Sequence, residues 1–175
     1  MALEPRAYKA CPPVVIDQTK QYVVTLKTTK GDIVIELFAD KAPLTVNSFV
    51  FLAREGWFNN VPFHRVLDGF VAQAGDPSGT GMGNPGYEYI NEIAAGLAYD
   101  KAGVVGMANA GADTNGSQFF ITLAPATNLT GGYTIFGQVT EASMAVVNAL
   151  TKRDPSTEGV LPDPDLILSV MIEEK

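Results

Sequence analysis

Apolar and polar residues alternate through Tyr22 to Thr28 and again through Ile33 to Phe38, on either side of Thr29-Lys30-Gly31-Asp32. A repeat of two places successive side chains on opposite faces, so these runs predict a β-hairpin. The period then changes. Val46, Phe49, Val50 and Ala53 recur at helical spacing between Pro43 and Glu55, with Pro43 suited to a first turn and Gly56 to a stop. Short β-branched and aromatic runs follow at 61–66, 70–74, 103–109, 118–123, 134–139 and 166–172. A second helix is predicted over Glu141 to Thr151, where Met144, Val147 and Leu150 share a face. Residues 75–96 are glycine-rich and read as a long surface loop, and Arg153 to Asp165 as turns. This order fits a mainly β fold, a closed antiparallel barrel capped by two α-helices. Residues 1–20 are expected to form a loosely held arm, and residues 21–175 a single domain.

Composition removes several function classes. The chain has 175 residues, 46% hydrophobic and 18% charged, enough for a sizeable core and too apolar for a disordered chain. A net charge of −7 argues against nucleic acid and against anionic membrane surfaces. No apolar run approaches the roughly 18 residues that span a bilayer, so no membrane insertion is expected. Cys11 is the only cysteine, which rules out an intrachain disulfide. Cytoplasmic placement is the plain expectation. An exported protein with Cys11 as a lipid-attachment site would need an apolar segment upstream, and Met1 to Ala10 does not supply one.

The chemistry concentrates in two stretches. Phe63-His64-Arg65 is followed by Phe70 and Gln73, which puts a cation, two rings and an amide within eleven residues. On one continuous strand Phe63 and Arg65 would share a face, with Asp68-Gly69 as the place where the alternation resets. A fixed guanidinium beside an apolar pocket suits a neutral ligand with a carbonyl group. The second stretch runs from Gly103 to Gly111 and through Asn115-Gly116-Ser117 into Gln118-Phe119-Phe120-Ile121-Thr122. There Gln118, Phe120 and Thr122 fall on one face, and Phe119, Ile121 and Leu123 on the core face. Small residues at Ala108, Ala110, Gly111 and Gly116 allow a ligand backbone to approach.

Other chemistries fit less well. Gly81-Met82-Gly83-Asn84-Pro85-Gly86 matches a dinucleotide fingerprint formally, but Pro85 disfavours the helix that this motif must open. His64 is the only histidine, and no nucleophile-elbow pattern surrounds Ser117, so neither a catalytic triad nor a metal site is indicated. A core histidine held by hydrogen bonds is the expectation for His64.

Phe63-His64-Arg65-Val66, Gly69-Phe70-Val71-Ala72-Gln73-Ala74-Gly75-Asp76, Gly106-Met107-Ala108-Asn109-Ala110 and Thr114-Asn115-Gly116-Ser117-Gln118-Phe119-Phe120-Ile121 together resemble the cyclophilin family of peptidyl-prolyl cis-trans isomerases. Gly31 to Phe38 and Thr134 to Val139 extend the likeness, which runs in order from about Tyr22 to the C-terminus. The resemblance implies an eight-stranded barrel with a helix over each end, no cofactor, and activity as a monomer on proline-containing peptides and folding proteins. It implies Arg65, Gln73 and Phe70 as catalytic residues. It implies a substrate surface of Phe63, Val71, Met107, Ala108, Asn109, Ala110, Gln118, Phe120, Leu129, Tyr133 and Gly79. A binding module without catalysis is the alternative. In many members a tryptophan stands where this chain has Asn128, and a histidine where it has Tyr133. Loss of the indole removes apolar area and an N–H donor, so weak cyclosporin binding is expected. Such variation is common among bacterial members and points to a prokaryotic source.

Overall fold

The structure, a computed structural model, describes residues 7–175. Its strands are β1 (Tyr22–Thr28), β2 (Gly31–Leu37), β3 (Val61–Pro62), β4 (Arg65–Val66), β5 (Val71–Ala74), β6 (Val104–Met107), β7 (Phe119–Thr122), β8 (Ile135–Val139) and β9 (Leu166–Glu174). Helix α1 (Pro43–Arg54) follows β2, and α2 (Met144–Ala149) follows β8. The predicted hairpin is present, with Tyr22 opposite Leu37 and Thr28 opposite Gly31. Alternation along β1 buries Tyr22, Val24, Leu26 and Thr28.

One antiparallel sheet runs in the order β3-β9-β1-β2-β8-β6-β7-β5-β4. It is a curled nine-stranded sheet and not the closed eight-stranded barrel expected from the sequence. The reason lies at residues 61–66, read as one strand but divided into β3 and β4 at opposite ends of the sheet. Pro62 has no N–H for a ladder. Beyond it, Phe63 N–H bonds Asp165 O (2.9 Å), and Val66 exchanges backbone bonds with Arg153 (2.8 Å each way). The two edges are thus joined through the chain entering β9 and not by a strand pair.

Helix α1 matches its sequence pattern, with Val46, Phe49, Val50 and Ala53 all buried. Its first turn is capped from a distance: the Glu92 carboxylate accepts the N–H groups of Leu44 (3.0 Å) and Thr45 (2.7 Å). A negative group here also meets the positive end of the helix dipole. Phe49 stacks on Phe58 (4.8 Å), and Phe119 meets both rings edge-on. The second helix is shorter than predicted. Glu141–Ser143 forms a 3-10 turn, and Leu150 leaves the helix with an extended backbone. The Ser143 hydroxyl accepts Val34 N–H (2.9 Å), tying this turn to β2.

Residues 7–20, expected as a loosely held arm, lie docked against α1 and the loop after β5. Tyr8 N–H donates to Pro85 O (2.8 Å), and Asn47 holds both Val15 N–H (2.7 Å) and Pro13 O (2.9 Å). The Tyr8 ring packs among Phe51, Trp57 and Tyr87. Residues 1–6 of the expected arm lie outside the described residues.

Candidate active site

Strand register draws the site. Arg65 on β4 lies opposite Gln73 on β5, Gln73 opposite Phe120 on β7, and Phe120 opposite Gly106 on β6. Directly opposed residues share a face, so a cation, an amide, a ring and a gap stand in one row. The gap has a purpose. A Cβ on Gly106 would meet the Tyr99 hydroxyl at 2.0 Å and the Phe120 ring at 2.8 Å. Only glycine lets those two rings lie over the strand. Phe120 packs against Tyr99 (5.5 Å) and edge-on against Tyr133 (5.9 Å).

The result is a notch of about 300 Å³. Phe70, Val71, Phe120, Leu129 and Tyr133 form its apolar part, and Arg65 and Gln73 stand at one side. Ala108 and Asn109 form the rim shared with a neighbouring groove of about 240 Å³. Gly81 to Asn84, Glu88, Ala110 and Gln118 contribute to that groove. Arg65 Nη1 donates to Gln73 Oε1 (3.2 Å), and Gln73 Nε2 donates to Gln118 Oε1 (3.0 Å). Arg65 belongs to no ion pair among the described residues, so no carboxylate within bonding distance neutralises its charge.

Three sequence assignments are corrected. Phe63 is fully buried in the main core and does not share the Arg65 face. The alternation resets at Phe63-His64, where the ladder breaks, and not at Asp68-Gly69. Met107 is likewise a core residue behind the notch, 2% exposed. Gly79 lines neither cavity. Its φ of +69° serves the turn after Asp76, where a Cβ would sit 3.0 Å from Pro62. Sequence reasoning missed Tyr99 and Gly106. Nothing around Tyr99 distinguishes it from a loop residue, yet its ring is fully buried and its hydroxyl faces Tyr133 O (3.1 Å) and Thr134 O (3.2 Å). Burial holds that hydroxyl far above its ordinary pKa, so it remains protonated.

The remaining candidate groups have structural work. Ser117 Oγ donates to Gly75 O (2.7 Å) within the interior. The glycine run at 81–86 opens no helix, and its N–H groups wrap the Asp76 carboxylate. His64 is 3% exposed, but its Nδ1 has no hydrogen-bond partner among the described residues, against the expectation of a bonded core histidine.

Burial pushes the His64 pKa below its ordinary 6.5, opposed by Asp76 and reinforced by Arg153 and Arg65. The unfolded chain takes up this proton near pH 6.5, and the folded chain only at lower pH. Stability therefore falls as pH drops below about 6.5. Calorimetry should show a nearly constant Tm from pH 8 to 7 and a decline toward pH 5. That decline should flatten in His64→Leu. The carboxylates with lowered pKa values start from 3.8 or 4.5 and titrate below this window.

Comparisons with known proteins place the chain in a family. The family model for cyclophilin type peptidyl-prolyl cis-trans isomerases matches residues 23–172. The chain is 42% identical over 174 residues to peptidyl-prolyl cis-trans isomerase B of Streptomyces anulatus, covering 89% of this chain and 99% of that protein. A crystal structure of a cyclophilin type isomerase from Cryptosporidium parvum superposes with a TM-score of 0.78 at 34% identity, covering 88% of this chain and 98% of that one. A second structure of that protein, solved in the presence of the dipeptide Ala-Pro, gives a TM-score of 0.77 at 34% identity over 86% of this chain and 98% of that one. The chain belongs to the cyclophilin-type peptidyl-prolyl cis-trans isomerase family.

Proposed function

We propose that the notch takes the proline ring of a polypeptide and that Arg65 lowers the barrier to rotation about the preceding peptide bond. That barrier, about 18–20 kcal/mol, comes from amide resonance. No covalent intermediate is needed to reduce it. Phe70, Val71, Phe120, Leu129 and Tyr133 hold the ring and keep water from the bond. A dry setting favours the less polar twisted amide. As the bond twists, its nitrogen regains a lone pair. A guanidinium bonded to the proline carbonyl lies near that nitrogen and stabilises the twisted form over both planar forms. Gln73 orients Arg65, and the Asn109 backbone and the Gln118 side chain anchor the chain ahead of the proline. The other side of the bond is then free to turn.

The observation that carries this reading is the Arg65–Gln73 contact at the edge of an apolar notch of about 300 Å³. The relative crystallised in the presence of Ala-Pro supports the same ligand chemistry. A protease-coupled assay on an Ala-Pro peptide tests it. The result expected is turnover proportional to enzyme. Peptide binding without turnover would leave a binding module.

Drug recognition follows from the rim. Asn128 is exposed on the 3-10 turn Thr127–Leu129, and Leu129 alone of that turn reaches the notch. Cyclosporin therefore loses an indole's contact area and N–H donor. Asn128→Trp should tighten cyclosporin binding by about tenfold or more, since burying a large side chain contributes about 1.5–3 kcal/mol. Isothermal titration of both proteins checks this. Equal affinities would show that the position does not control drug binding.

A further inference from the structure

Asp76 opens the loop after β5, is fully buried, and has no task in the mechanism above. Its Oδ1 accepts the Ser78 N–H (2.8 Å) and hydroxyl (2.7 Å). Its Oδ2 accepts the N–H groups of Gly81 (2.8 Å) and Gly83 (3.0 Å), with the Thr80 hydroxyl at 3.5 Å. One carboxylate thus sets the path of residues 78–83. Burial raises its pKa, but the bonds from Ser78, Gly83 and Gly81 outweigh this and leave it below the ordinary value, so it is ionised. The winding needs glycine: Gly81 has φ +82°, and a Cβ on Gly83 would lie 2.0 Å from Asp76 Oδ1.

With the N–H groups turned in to Asp76, two carbonyls of this loop turn toward the site. Gly81 O (2.9 Å) and Gly83 O (3.0 Å) both accept from Gln118 Nε2. An amide whose NH₂ is held by two carbonyls has one orientation. Its Oε1 therefore faces Gln73 Nε2, and Gln73 is left with Oε1 toward Arg65. A flipped Gln73 would set its NH₂ against the guanidinium, donor against donor.

We infer that Asp76 is a positioning residue for Arg65, acting through the 81–83 loop, Gln118 and Gln73. It does so by fixing which way two amides point. The inference rests on Arg65 being the catalytic cation.

Asp76→Asn keeps the size of the side chain but turns an NH₂ against at least one of the loop N–H groups. The on-enzyme isomerisation rate of an Ala-Pro peptide should fall about ten- to hundredfold, as for a catalytic group displaced by a fraction of an ångström. The peptide Kd should change less than the rate does, because the apolar notch that holds the proline ring is untouched and Gln118 anchors only the chain ahead of it. In an Arg65→Ala background, read by NMR exchange at high enzyme concentration, Asp76→Asn should add nothing, since the two act in series. Gly83→Ala disturbs the same link without removing a charge and should give the same pattern. It decides the matter where Asp76→Asn folds poorly. A folded Asp76→Asn or Gly83→Ala with kcat within about twofold of wild type overturns the inference, as does an equal fall in the Arg65→Ala background. If Arg65→Ala itself keeps full kcat, the reading of Arg65 fails. If Arg65→Ala is impaired and both loop variants are not, only the role of Asp76 fails.

Discussion

Arg65→Ala is expected to lower kcat for an Ala-Pro peptide by about 10²- to 10³-fold while the protein stays folded, the usual cost of deleting one transition-state donor. The fold should survive because Arg65 is half-exposed, joins no ion pair among the described residues, and its side chain contacts Gln73 by a single 3.2 Å bond. Exposed or half-exposed polar contacts of this kind contribute little to stability. The catalytic effect is expected to be large because a proline ring seated in the notch displaces water from beside the guanidinium, and a charge acts more strongly where screening is weak. KM should change little, since the planar substrate gains less from the guanidinium than the twisted amide does. Steady-state kinetics with circular dichroism as the folding control checks both halves.

Phe120→Ala is expected to fail differently. Phe120 is 4% exposed and packs between Tyr99 and Tyr133 above Gly106, so its ring is the floor of the notch. Its removal enlarges the pocket where the proline ring should make closest contact. Peptide binding should weaken by about ten- to hundredfold, the equivalent of about 1.4–2.8 kcal/mol of lost apolar contact. Folding stability should also drop, by about 3–5 kcal/mol for a large-to-small change in a packed interior. A domain with about 5–15 kcal/mol to lose survives this but melts earlier. Titration calorimetry and thermal unfolding measure the two effects separately.

What was legible in the chain follows from what each kind of signal reports. The hairpin and α1 could be read because their periods are long and one face of each is buried. Phe70, Gln73 and Phe120, which line the notch, lie in motifs that extend on both sides, whereas Leu129 and Tyr133 are named from the family resemblance across a stretch that departs from its pattern. The break at Pro62 was not legible as a change of partner. Within residues 61–66 it sends Phe63 into the core and leaves Arg65 at the notch, and only the bonds to Asp165 and Arg153, a hundred positions away or nearly so, decide this. Closure of the sheet failed to appear for the same reason. The short α2 was hidden because Glu141–Ser143 has helical composition but forms a 3-10 turn held by β2. Tyr99, Gly106 and Asp76 act through cross-strand register and loop winding, which no local pattern announces.

NMR exchange on an Ala-Pro peptide bound to wild type and to Arg65→Ala separates the on-enzyme rate of isomerisation from the dissociation constant in one experiment. With Arg65 as the cation at the turning bond, the rate should be lower by about two to three orders of magnitude at nearly unchanged affinity. Unchanged on-enzyme rate with weakened affinity would contradict that role, because Arg65 would then hold the substrate and not the turning bond.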